Sequence, residues 1–170
     1  MARALLSLLL AAAGVSAAAA ELRVGRAAVV ITPPVGAPMA GYYYNRGAEG
    51  THDDLHAKAL VFEAGGVKAA VVACDLIGIP AEFIEQARRL IAEDPGIPAE
   101  RVMISATHAH TGPLLSGGAS RTANLEGEML AISRRYAAEL PGKIAESVRR
   151  AHGDLAPARI SAGVGREESI

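Results

Sequence analysis

Cysteine is nearly missing from this sequence of 170 residues, with Cys74 standing alone. One thiol excludes an intramolecular disulfide framework and any cysteine-rich zinc module. Tryptophan is absent and aromatic residues make up only 4% of the chain. An excess of charge of either sign is lacking too, since 17 Lys+Arg against 18 Asp+Glu leave −1 at pH 7. That balance excludes the basic footprint of a nucleic-acid binder and gives no polybasic membrane anchor. No internal repeat is visible, and 18 Gly with 9 Pro mark turns without making the chain low in complexity. What is present is 51% hydrophobic, enough to bury a core.

The first apolar run reads as an address. Met1 to Ala20 is MARALLSLLLAAAGVSAAAA: a short positive start at Arg3, an apolar stretch, then small residues offering A-x-A cleavage sites. This is the pattern of a secretory signal peptide. A membrane span needs about 20 strongly apolar residues, and here the leucines soon fade into alanine. Residues 1–20 are therefore expected to be cleaved, leaving 21–170 as a secreted or periplasmic chain. Cys74, inside the apolar run Ala69 to Cys74, reads as a buried and inert thiol.

Periodicity in the remainder points to α/β, a mixed β-sheet with packed amphipathic helices. Leu22 to Ile31 is strand-like and stops at Thr32-Pro33-Pro34. Val35 to Thr51 is a long loop with four glycines and the run Tyr42-Tyr43-Tyr44. Those tyrosines serve either as packing or as a wall for an apolar ligand, the second being favoured. Ala57 to Phe62 and Val67 to Cys74 flank a glycine turn and read as a hairpin. Pro80 opens a helix that Pro95 to Pro98 ends, and Arg101 to Ala106 is another strand, so a βαβ unit follows. Ser116 to Asn124 reads as a mobile loop. Tyr136, Leu140, Ile144 and Val148 recur every four residues in a second helix. Pro141-Gly142 predicts a kink or restart within it, and its end falls near His152-Gly153. Arg159 to Val164 is read as a final strand.

The chemistry concentrates in Thr107-His108-Ala109-His110-Thr111-Gly112-Pro113. In extended chain, residues two apart share a face, so two imidazoles could enter one pocket and bind a metal, or a metal and a substrate. The alternative is a pair of partly exposed loop histidines. Gly112-Pro113 would leave the pair at the carboxyl end of a strand, where open α/β sheets place their sites. Three common H-x-H systems fit poorly. A cupin wants Gly where Val102 stands, the metallo-β-lactamase pattern continues into Asp-His, and TIM-barrel amidohydrolases carry the pair on the first strand. In Thr51-His52-Asp53-Asp54-Leu55-His56, Asp53, Asp54 and His56 read as a solvated loop, and His52 is the more interesting residue. Asp75 either supports the site or caps a turn. His152, at a helix end, reads as structural through the terminal carbonyls.

Several segments resemble the N-terminal part of the neutral/alkaline, non-lysosomal ceramidases. They are Val24-Gly-Arg-Ala, Ile31-Thr-Pro-Pro34-Val-Gly, Met39-Ala-Gly-Tyr42, Gly50-Thr-His52-Asp-Asp-Leu-His, Asp75-Leu-Ile-Gly and Ala106-Thr-His108-Ala-His110-Thr-Gly-Pro113. Their order along the chain is stronger evidence than any one of them. The resemblance implies a zinc amidohydrolase that cleaves the N-acyl amide of ceramide to sphingosine and a fatty acid. It implies His108 as a zinc ligand, His110 as the catalytic residue facing the substrate, and Gly41 as a substrate contact. Zn2+ is the implied cofactor, a ceramide-like lipid the partner, and peripheral membrane contact a route to it.

Ala109 and Thr111 depart from the family, which often has Thr and Ser there. Ala109 is expected to point away from the metal by strand alternation. The family's other ligands, a second His, a Glu and a Tyr, lie further along a longer chain, as does a serine important for activity. Gly163-Val-Gly-Arg166-Glu resembles the approach to another family motif. The 170 residues therefore read as an N-terminal portion of such a domain, inactive in isolation. Two other readings stand beside it: a related hydrolase of a different amide or ester, and a non-catalytic secreted binding domain.

Overall fold

In a computed structural model, residues 20–115 and 125–169 are described. The signal-peptide expectation, apart from Ala20, and the loop expected at Ser116 to Asn124 lie outside them. Among the described residues five strands form one mixed sheet: β1 (Arg23–Val30), β2 (His56–Ala64), β3 (Val67–Cys74), β4 (Val102–Ala106) and β5 (Ala156–Pro157). The spatial order is β4-β3-β2-β1-β5. Two helices, α1 (Ala81–Glu93) and α2 (Gly127–Gly153), complete the α/β fold.

The hairpin forms as its pattern requires. β2 and β3 are antiparallel from Ala57↔Cys74 to Ala64↔Val67. Gly65 and Gly66, both at positive φ (57° and 78°), make the tight loop whose twist suits a right-twisted pair. β3 then runs through α1 to β4, which pairs parallel with it from Ala70↔Val102 to Cys74↔Ala106. This is the expected βαβ unit, with a short 3-10 turn at Ala99–Arg101 leading into β4.

Period-2 alternation puts Ala57, Ala59 and Val61 on one face with Ala70, Val72, Cys74, Val102 and Ile104. Those residues form a single core with Ala87 and Ile91 of α1 and Leu140, Ile144 and Val148 of α2. Both helices thus cover the same face. The opposite face carries Lys58, Leu60 and Met103, all exposed. Gly25 marks the closest approach, because a Cβ there would overlap the Ala151 carbonyl oxygen of α2. Tyr136 ties α2 to the end of β1, its buried hydroxyl donating to the Ile31 carbonyl at 2.6 Å.

One of the two outcomes expected at Pro141-Gly142 is ruled out, and the expected final strand is corrected. Pro141-Gly142 does not restart the second helix, and α2 runs continuously for 27 residues with Pro141 inside it. An interior proline costs about 3 kcal/mol relative to alanine. Leu140, Pro141, Ile144, Val148 and Ala151 are all buried along that stretch, and their packing outweighs the local penalty. The final strand expected at Arg159 to Val164 does not form. Pairing is limited to Ala156 and Pro157 against Val24 and Arg23, with one further bond from Ala158 N to Leu22 O. Running antiparallel to β1, the chain passes the beginning of its partner there, and Ile160 and Val164 are exposed.

Candidate functional site

The His-x-His segment leaves the carboxyl end of β4, next to the end of its parallel neighbour β3. Thr107 N donates to Cys74 O at 2.9 Å and Ala109 N to Leu76 O at 3.0 Å. The segment therefore lies along the continuation of β3. Gly112 fits because it has no side chain: a Cβ would come within 3.1 Å of the Asp75 carbonyl oxygen.

The two imidazoles do meet, with ring centroids 5.0 Å apart and edge-to-face at 70°. The route is not the one strand alternation suggests. β4 ends at Ala106, and His108 adopts φ 65°, the one positive φ among described residues other than glycine. Left-handed backbone is uncommon outside glycine and is concentrated at functional sites. It is the turn at His108 that brings the rings together, so alternation does not decide where Ala109 points.

His108 Nδ1 lies 2.9 Å from the Ile77 carbonyl oxygen. A carbonyl only accepts, so Nδ1 carries a proton, and in the neutral ring the lone pair is then on Nε2. That is the arrangement of a histidine metal ligand held by a backbone acceptor. Sequence reasoning missed Ile77, because a main-chain acceptor leaves no side-chain signature.

Gly41 lies directly against His110. Its φ is +87°, and a Cβ would overlap Nδ1 and come within 2.8 Å of Cγ and 3.1 Å of Cβ of that histidine. The loop carrying Gly41 is stitched to the His-x-His segment: Ala40 N donates to Gly112 O at 3.0 Å, and Leu114 N donates to Pro38 O at 2.6 Å. The His-x-His pair and Gly41, which the resemblance had singled out, are thus one local structure.

Beside them is a cavity of about 570 Å³ lined by Met39, Tyr42, Arg46, His52 and Thr111. The tyrosine run divides. Tyr42 forms part of this wall, with the Arg46 guanidinium 5.2 Å from its ring centroid, whereas Tyr43 and Tyr44 are exposed. His52 lines the cavity without joining the imidazole pair. Among the described residues, no group of three or more His, Cys, Asp or Glu side chains could hold a metal. These residues offer zinc one oriented donor, His108, with a second imidazole beside it, and not a closed set of ligands.

Asp54 stitches its loop, accepting from Thr32 Oγ1 at 2.7 Å. His56 begins β2 instead of lying in the loop. His152 sits in the last turn of α2, where its Nε2 is 2.7 Å from Lys68 Nζ, a partner the helix-end reading did not foresee. Cys74 is buried; burial, with the neighbouring Asp75 carboxylate, pushes its thiol up to about 12.

The solved structure of neutral ceramidase from Pseudomonas aeruginosa matches this chain with a TM-score of 0.66. The fold is ceramidase-like. Sequence identity is 30%, and the match covers 81% of this chain and 22% of that one. A second structure, ceramidase complexed with C2, matches with a TM-score of 0.63 at 29% identity, over the same 81% and 22%. The chain thus spans about a fifth of these ceramidases, and the likeness takes in most of its own length. No protein-family model and no curated protein matches it.

Proposed function

We propose that this chain carries the His-x-His part of a zinc-dependent, ceramidase-like amidohydrolase. The substrate is the N-acyl amide of a ceramide-like lipid, split by water into a long-chain amine and a fatty acid. The observation that carries this reading is the His108 Nδ1 to Ile77 O bond at the carboxyl end of a ceramidase-like sheet. His108 would hold zinc through Nε2, and further ligands would complete the site. Zinc bound there supplies the Lewis acidity that hydrolysis of an unactivated amide needs.

In this reading His110, whose ring meets that of His108 edge-to-face, faces the amide. A neutral imidazole donates one hydrogen bond, and a donor aimed at the carbonyl oxygen is worth most as negative charge gathers there. Gly41, lacking a side chain, lets its backbone lie directly against the His110 ring, and in this reading it contacts the substrate beside that histidine. Val35, Met39 and Tyr42 give the adjoining cavity an apolar part beside the polar lining of Arg46, Glu49, His52, Asp53 and Asp54. Export through residues 1–20 would bring the protein to a compartment where lipid is reached by peripheral membrane contact.

The test uses the full-length protein and a fluorescent ceramide. His108→Ala is expected to abolish both bound zinc and hydrolysis. His110→Ala is expected to keep the metal and lose turnover by about 100-fold or more, the scale of a lost oxyanion donor. Full activity in His108→Ala would refute the zinc assignment.

A further inference from the structure

At the end of β3 a side chain completes the sheet ladder. The register pairs Ala57 with Cys74, which makes His56 and Asp75 the next couple. Asp75 N donates to His56 O at 2.9 Å. The return bond from His56 N goes to the Asp75 side chain, Oδ2 at 3.0 Å, and not to its carbonyl. With the carboxylate standing in for the main chain, the backbone is free to leave the sheet. Leu76 N folds back to Cys74 O at 2.8 Å, and the Asp75 carbonyl faces Gly112.

This bend turns two carbonyls toward the His-x-His segment: Leu76 O receives Ala109 N, and Ile77 O receives His108 Nδ1. The same carboxylate is 3.4 Å from Thr107 Oγ1, the residue preceding His108, and 3.4 Å from Lys58 Nζ. Its side chain is only 20% exposed, whereas that of Lys58 is 60% exposed. The carboxylate therefore works mainly through its inward bonds, since an exposed ion pair contributes little.

We propose that Asp75 is the positioning residue of His108. By replacing a ladder carbonyl it bends β3 out of the sheet and places the Ile77 oxygen that selects the imidazole tautomer. Its use in catalysis rests on the reading of His108 as a metal ligand, but ring orientation is measurable with no metal bound.

The experiment follows the histidine rings of isotope-labelled protein by long-range proton–nitrogen correlation at fixed pH, together with amide hydrogen exchange. At a pH where imidazoles are neutral, His108 of the parent protein should show a single tautomer with its proton on Nδ1. In Asp75→Ala the tautomers should mix and the Ala109 amide should exchange about tenfold faster or more, while Val61 in the core stays protected, the signature of local opening. Asp75→Asn has one acceptor oxygen in place of two and should fall between. Lys58→Met should change neither readout. Parent-like His108 and Ala109 in Asp75→Ala would overturn the proposal, as would the same loss in Lys58→Met. If Asp75→Ala does not fold, Asp75→Asn decides: parent-like signals there overturn it. The zinc content of His108→Ala tests the underlying reading separately, and can fail while the Asp75 result stands.

Discussion

Replacing Gly41 with alanine sets two penalties against each other, and the structure separates them. The first is backbone strain, because Gly41 sits at φ +87°, where an L side chain costs about 1–2 kcal/mol. The second is overlap with His110, and overpacking of this kind costs about 1–3 kcal/mol. Since Cγ at 2.8 Å and Cβ at 3.1 Å are struck as well as the ring nitrogen, spinning the ring about its own bond gives no relief. His110 must change its first side-chain torsion, or the Gly41 loop must part from Gly112 and Leu114. Gly96→Ala is the control, at φ +81° with nothing within 4 Å of the new Cβ. Urea unfolding should therefore show a larger loss for Gly41→Ala than for Gly96→Ala. A His110→Ala background removes the ring contacts and keeps only the Cβ contact at 3.1 Å, so the loss from Gly41→Ala should shrink there toward the Gly96→Ala value by more than about 0.5 kcal/mol, the usual limit of additivity. Equal losses in both backgrounds would refute the contact, and with it the claim that Gly41 seats His110.

Other perturbations test the core beneath the site. Cys74 is raised from 9.0 to about 12, so between those values the native thiol stays protonated while the unfolded one ionises. Stability is then complete below pH 9 and declines above it by about 1.4 kcal/mol per pH unit. Urea midpoints from pH 8 to 10.5 should fall less steeply in Cys74→Ala; an unchanged slope would assign the loss elsewhere. Tyr136 is raised in the same direction by burial and by Cys74, leaving part of the slope in that variant. Tyr136→Phe removes the 2.6 Å donor to Ile31 O and should cost about 1–2 kcal/mol, the scale of a buried hydrogen bond whose acceptor is left unpaired. A loss below about 0.3 kcal/mol would mean that water replaces it.

Whatever is set by local periodicity was legible in the sequence. The glycine turn between β2 and β3, the βαβ unit and the apolar stripe of α2 depend on neighbours a few residues apart. The misreadings occur where a distant partner decides. Pro141 remains helical because its surroundings are buried in the core, and Arg159 to Val164 remains unpaired because the chain has there passed the beginning of β1. The site shows the same division more sharply. Alternation along a strand suggested that His108 and His110 share a pocket, and their rings do adjoin, yet the cause is a left-handed residue held by a backbone carbonyl. Of the groups that orient His108, the imidazole and the Asp75 carboxylate have a side-chain signature, and the Ile77 acceptor has none. The acceptor belongs to Ile77, the bend that delivers it belongs to Asp75, and the space for its partner ring belongs to Gly41. In a sequence those positions show an aliphatic residue, a turn acid and a glycine. A histidine pair is therefore recognisable in the sequence, but the orientation of its rings depends on neighbours brought in by the fold, and those are found by following each backbone hydrogen bond to its partner.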